Sequence, residues 1–163
     1  MQKISIGNSV RNKLRRSNFS ESFGPAYYSF RVGDLAGLVL NSNLEKGTEQ
    51  VPAEAAKMET WFRNELERVK LTGVEHIILF QHIAFLLKDP NEEDQYSNIP
   101  KVVRERYLRY LHEYGVEHVF AGHYHQNELG RDGDLEMVTS GPVGMPLEGG
   151  KSGPRPLWHT APR

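Results

Sequence analysis

Val116-Glu117-His118-Val119-Phe120-Ala121-Gly122-His123-Tyr124-His125 is an apolar run that ends in a glycine and two histidines spaced two apart. Residues 116–121 read as a buried strand. Gly122 removes a side chain where the backbone must turn close to a bound group. In an extended segment, residues two apart face the same side. His123 and His125 are then expected to aim two imidazoles into one space, and neutral imidazole is a common ligand for borderline transition metals. A surface pair, or a pair satisfied within the core, is the alternative reading of so short a motif.

The same design occurs upstream. Residues 75–81, with Ile77-Ile78-Leu79-Phe80 at their heart, read as a strand that delivers His82. Between the two strands come an acidic loop, residues 89–94, and a helix over residues 101–114. Val103, Tyr107, Tyr110, Leu111 and Tyr114 lie on one face of that helix, and Gly115 ends it. Further upstream, Tyr27–Val32 and Leu35–Leu40 flank the Gly33-Asp34 turn and read as a hairpin. The second of these runs ends at Asn41-Ser42-Asn43. Residues 53–70, with Met58, Phe62, Leu66 and Val69 at helical spacing, read as a helix behind Pro52, and Trp61 and Phe62 are expected to pack it on the sheet. Residues 134–139 read as a fifth strand after a Gly-rich turn. Strand–helix–strand–helix–strand is an α/β pattern, and ligands in such folds gather at the carboxyl ends of strands. Asn41, His82 and the His123/His125 pair all stand at strand ends. Tyr124, between the two histidines, is expected to face away from them.

The ends of the chain differ in character. Residues 1–24 form a polar, basic arm with Arg11, Lys13, Arg15 and Arg16 close together. From Ser140 onward glycine and proline crowd the sequence, and residues 148–163 are expected to be a mobile tail. The domain proper is expected over residues 25–147. The chain has 163 residues, 38% of them apolar and 25% charged, which suits a globular domain with a modest core. The absence of cysteine excludes disulfides, thiolate metal sites and cysteine nucleophiles. A net charge of −1 gives no global field for nucleic acid. No apolar run reaches the roughly 18 residues of a membrane span. The N-terminus has no signal-peptide layout, so a cytoplasmic location is the expectation.

Several motifs in one order carry a resemblance. Phe80-Gln81-His82-Ile83, followed by Phe85-Leu86-Leu87, and Phe120-Ala121-Gly122-His123-Tyr124-His125 are similar to the last two metal motifs of the calcineurin-like metallophosphoesterases. Phe23–Phe30, Leu38–Ser42 and Leu135–Ser140 resemble that family in order and spacing, and the similarity covers roughly residues 4–147. The resemblance implies an α/β fold, a metallophosphoesterase-type β-sandwich flanked by helices. It implies that His82 and His123 are ligands of one metal and His125 a ligand of the other. In such two-metal sites the ions stand roughly 3.5–4 Å apart, clamp the phosphate and generate a hydroxide nucleophile. The implied reaction is hydrolysis of a phosphomonoester, with protein phosphoserine or phosphothreonine as substrate.

The family opens with Asp-x-His, then Gly-Asp-x-x-Asp, then Gly-Asn-His, and none of these is found in the chain. Gly7-Asn8-Ser9 has serine in place of the histidine. The expectation is a partial sandwich, its N-terminal half missing, in a truncated product, an isoform or a partial gene model. Three imidazoles can hold one divalent ion, as in three-histidine zinc sites. Two cations without a bridging carboxylate would repel strongly. At most one weakly held cation (manganese, iron or zinc) is therefore expected. Asn41 is a candidate substrate contact, with a turn-forming role as the alternative. The acidic loop, with Asp89, Glu92, Glu93 and Asp94, reads as solvated or as a border of the substrate entrance. His76, His112 and His118 show no partner spacing, and His159 is expected to be solvated. Two further readings stand beside the phosphoesterase: a non-catalytic fragment that binds or regulates, and a nucleic-acid binder using Arg11–Arg16. Balanced charge and the lack of basic–aromatic interleaving argue against the last.

Overall fold

The computed structural model describes residues 24–142. The arm expected over residues 1–24, Gly24 excepted, and the tail over residues 148–163 lie outside the described residues, as do residues 143–147 and His159. The described elements are β1 (Tyr28–Val32), β2 (Leu35–Val39), α1 (Ser42–Lys46), α2 (Pro52–Leu71), β3 (His76–Phe80), α3 (Lys101–Tyr114), β4 (His118–Ala121), β5 (Glu128–Asp132) and β6 (Leu135–Thr139). They form one six-stranded sheet in the order β1-β2-β3-β4-β6-β5. The hairpin β1–β2 is antiparallel, with Val32 opposite Leu35 across the Gly33-Asp34 turn. β2, β3, β4 and β6 are mutually parallel, and β5 returns antiparallel on β6. Two of these elements, α1 and β5, were not among those expected from sequence.

Burial alternates along β3, β4 and β6, so one face of the sheet is core. Ala36, Leu38, Ile77, Leu79, Val119, Ala121, Leu135 and Met137 are buried there beneath the helices. Met58, Phe62, Leu66 and Val69 of α2 face the same core, as the helical period requires. Phe62 stacks on Tyr107 of α3 with centroids 5.6 Å apart, which joins the two helices over the sheet. Each fully buried side chain of this size is worth roughly 1.5–3 kcal/mol. Trp61 lies at the edge of this layer, its ring 4.9 Å from that of Tyr27.

The opposite face carries a different row. Phe30, Phe80 and Phe120 stack across β1, β3 and β4, at centroid distances of 6.1 and 5.4 Å. β2 lies between the first two rings, and Gly37 lets Phe30 cross it. A Cβ on Gly37 would stand 2.2 Å from the Phe30 ring. Phe30 and Phe120 are 38% and 37% exposed, so no described element covers this row.

Among the described residues no helix is long and apolar enough to cross a membrane.

Candidate active site

Parallel pairing brings the carboxyl ends of β2, β3 and β4 side by side, and main-chain bonds beyond the strands tie them together. Leu40 N–H donates to Phe80 O, and Gln81 N–H donates to Phe120 O. The carbonyl of His82 then accepts from both Gly122 N–H (3.1 Å) and His123 N–H (2.9 Å). That double acceptance fixes the two histidine-bearing strand ends against each other. His82 Nε2 and His123 Nδ1 consequently meet at 3.0 Å, their rings nearly edge-on at 73°. One nitrogen of that contact carries the proton and the other accepts it.

The segment after β4 is not extended, which corrects the geometric premise for His-x-His. His125 N–H donates to Gly122 O at 3.1 Å, closing a turn over residues 122–125. His125 has a φ of 58°, in the left-handed region. That conformation costs a side-chain-bearing residue roughly 1–2 kcal/mol. The turn still leaves His125 near enough for its charge to act on His123. Tyr124 is partly buried against the core.

His123 is held below the usual histidine range, chiefly by burial and then by repulsion from His82, His125 and Lys46. It is therefore neutral around pH 7 and keeps an imidazole lone pair. Two ring nitrogens, His123 Nε2 and His125 Nδ1, are buried and make no well-formed hydrogen bond, although the Tyr96 main chain lies close enough to His123 to act on it as a hydrogen-bond partner. Such orphaned acceptors or donors call for a ligand. The donor type suits a divalent transition metal. Yet among the described residues no three histidine or carboxylate side chains are arranged to hold an ion, and no carboxylate completes the set. The residues fit a metal by donor chemistry and by the two orphaned nitrogens, and not as a finished ligand cage.

The other candidates fall into structural roles. The Asn41 side chain accepts from Asn43 N–H at 3.2 Å and caps α1. In the acidic loop Asp89, Glu93 and Asp94 are exposed, while Glu92 is half-buried and tied down. Glu92 accepts from the main-chain N–H groups of Leu87, Lys88 and Asp89 and from Asn98 Nδ2. These hydrogen bonds hold its carboxyl below the usual range, against a burial effect that acts the other way. Asp94 accepts from Lys101 N–H at the start of α3, where the helix dipole favours negative charge. His76, His112 and His118 do have partners: Glu117 at 3.0 Å, Asp132 at 2.8 Å and Glu136 at 3.5 Å. Sequence reasoning missed them because each partner stands on another element.

Tyr96 was not singled out from sequence at all. Its ring lies on the His123 imidazole, with centroids 4.7 Å apart.

The chain aligns with curated proteins named serine/threonine-protein phosphatase CPPED1. The Danio rerio protein is 38% identical over 129 residues, which is 79% of this chain and 42% of the relative. The Mus musculus protein is 36% identical over 129 residues, 79% of this chain and 41% of the relative. The Homo sapiens protein is 34% identical over 131 residues, again 79% and 41%. The chain is a homologue of these calcineurin-like phosphoesterases. It spans about two fifths of their length. No protein-family model matches it. Among solved structures, the Plasmodium protein described as GAP50, the anchor in the inner membrane complex, superposes with a TM-score of 0.55 at 16% identity. That superposition covers 75% of this chain and 40% of GAP50. The likeness bears on fold alone, and the fold class is α/β of the metallophosphoesterase type, its six-stranded sheet flanked by helices.

Proposed function

We propose that the chain carries part of a metal-dependent phosphomonoesterase site, with His123 and His125 as its metal-binding residues, His82 as the residue that positions His123, and phosphorylated protein side chains as the substrate class. The observation that carries this reading is the convergence of His82 and His123 at adjacent strand tips, with buried ring nitrogens left unpaired beside them. The relatives' phosphatase name supports the reaction class. His123 Nε2 and His125 Nδ1 would hold the cation, with His82 positioning the His123 ring through their mutual contact. A divalent manganese, iron or zinc ion bound there would act as a Lewis acid toward a phosphate oxygen. The low proton affinity of His123 keeps its ring free to bind near neutral pH. Because no carboxylate among the described residues joins the histidines, the expected stoichiometry is at most one weakly held ion per chain and low turnover. A cytoplasmic location is part of the same proposal.

Titration calorimetry with manganese and zinc tests the stoichiometry, and two tight sites per chain would refute it. Turnover of p-nitrophenyl phosphate with added manganese tests the reaction. It is expected to be low and to vanish in His82→Ala and His123→Ala. A rate unchanged in both variants rules these histidines out.

A second reading has its own observation. The open Phe30–Phe80–Phe120 face favours a non-catalytic chain that binds a partner or regulates a longer phosphatase. In that case the chain shows no manganese-dependent turnover, while Phe120→Lys abolishes the association.

A further inference from the structure

The loop that leads from β3 to α3 is anchored on both sides of a single exposed ring. Lys46 Nζ donates to the carbonyls of Gln95 and Asn98, the residues just before and two after Tyr96. Asn98 is fully buried: its Oδ1 accepts from Gln95 N–H at 2.8 Å, and its Nδ2 donates to Glu92 Oε1 at 2.7 Å. Behind them the buried Arg104 guanidinium donates to the carbonyls of Phe85, Ile99 and Glu92. Such a network rigidifies the backbone it satisfies. Tyr96 is 81% exposed, and a surface tyrosine ordinarily rotates freely on the nanosecond scale. Here its main chain is pinned and its ring rests on His123. His82 touches the same imidazole through its own ring, at a centroid distance of 4.8 Å. The His123 ring is thus in contact with two rings, one from the end of β3 and one from the pinned loop, and the Tyr96 main chain, which no side-chain substitution removes, also acts on it.

We infer that Tyr96 is a positioning residue for His123: its ring fixes the imidazole's orientation, and Lys46 steadies that ring by pinning the main chain on either side of it. This deepens the metal-site reading, since a ring locked in one orientation presents its free nitrogen in one direction. Outer partners of metal-binding histidines commonly set affinity in this way. The contact is between the two rings, tilted at 47°, so Tyr96→Phe, which keeps the ring, is the conservative variant.

Nuclear magnetic resonance of the full chain with labelled histidine and tyrosine decides the matter with no metal present. Wild type and Tyr96→Phe are expected to show a ring-to-ring nuclear Overhauser effect between residue 96 and His123, and one ordered His123 ring. In Tyr96→Ala the His123 ring loses order, with the melting temperature unchanged because the lost ring was exposed. Lys46→Met weakens the Overhauser effect, and the double variant disorders His123 no more than Tyr96→Ala alone. Manganese affinity is then expected to fall roughly tenfold in Tyr96→Ala and to be kept in Tyr96→Phe. If wild type binds no manganese, the proposed function falls, while the resonance data still judge the clamp. A His123 ring equally ordered in wild type and Tyr96→Ala overturns it.

Discussion

At the scale of single residues the least comfortable group is Glu45. It lies on α1, it is buried, and neither carboxyl oxygen has a hydrogen-bond partner. Burial, helped by the nearby charge of Glu59, pushes its pKa up from 4.5 to about 8. The unfolded chain therefore releases this proton near pH 4.5 and the folded chain only near pH 8. The sign follows from the difference in bound protons: the unfolded state binds fewer across that window, so stability falls as pH rises. The contribution is fully present below about pH 4.5, declines up to about pH 8 and is flat beyond. Its ceiling is roughly 5 kcal/mol at 1.36 kcal/mol per unit, before relaxation and water entry reduce it. Glu45→Gln stays neutral throughout. Its melting temperature is expected to match wild type at pH 4.5 and to exceed it by several degrees at pH 8, as read by circular dichroism. Equal differences at both pH values would show that Glu45 is not carrying the burden.

At the scale of elements, two tight approaches hold the loop between β3 and α3 in place. The fully buried Arg104 satisfies three carbonyls of that loop. Arg104→Met leaves them without donors in the interior, at an expected cost of about 3 kcal/mol in urea unfolding. The same variant is expected to be cut by protease first between residues 88 and 100. Gly130 on β5 meets the other end of the loop: a Cβ there would stand 2.8 Å from Leu87 O and 2.3 Å from Leu86 Cδ1. Backbone cannot yield as a side chain can, so Gly130→Ala is expected to cost about 2–3 kcal/mol. Gly37→Ala is expected to cost less, because the Phe30 ring can swing away. This level also shows what periodicity can reveal. α2, α3 and the parallel strands were legible because their apolar spacing matches 3.6 or a continuous buried run. α1 is five residues long, shorter than any window in which a helical period can register. β5 reads Glu-Leu-Gly-Arg-Asp, with a glycine and charges where alternation was sought. Its strand form comes from pairing with β6, a tertiary fact. Likewise His82 and His123 could be placed together from strand ends. The turn at His125, the carboxylate partners 20 and 41 residues from His112 and His76, and Tyr96 could not, because they depend on contacts between elements.

At the scale of the whole molecule, the asymmetry of the sheet governs behaviour in solution. One face is sealed by two helices, and the other presents three phenylalanines in a row, flanked by Tyr28 and Val32 on the edge strand. Contiguous apolar surface of more than a few hundred Å² marks either an interface or an aggregation site. Edge strands add unpaired main-chain groups that extend a sheet from one molecule to the next. The chain is therefore expected to scatter light increasingly with concentration on heating and to bind an apolar dye at temperatures where it is still folded. Phe30→Lys with Phe120→Lys separates the face from the core. Both rings are already more than a third exposed, so the fold loses little by the change. The pair is expected to suppress scattering and dye binding while shifting the melting temperature by only a few degrees. A large-to-small change at Leu79 on the sealed face, Leu79→Ala, is expected to do the reverse and destabilise the fully buried core by roughly 2–5 kcal/mol. If the lysine pair scatters as strongly as wild type, self-association runs through the strand edges, and a lysine placed at Val32 on β1 becomes the substitution that stops it.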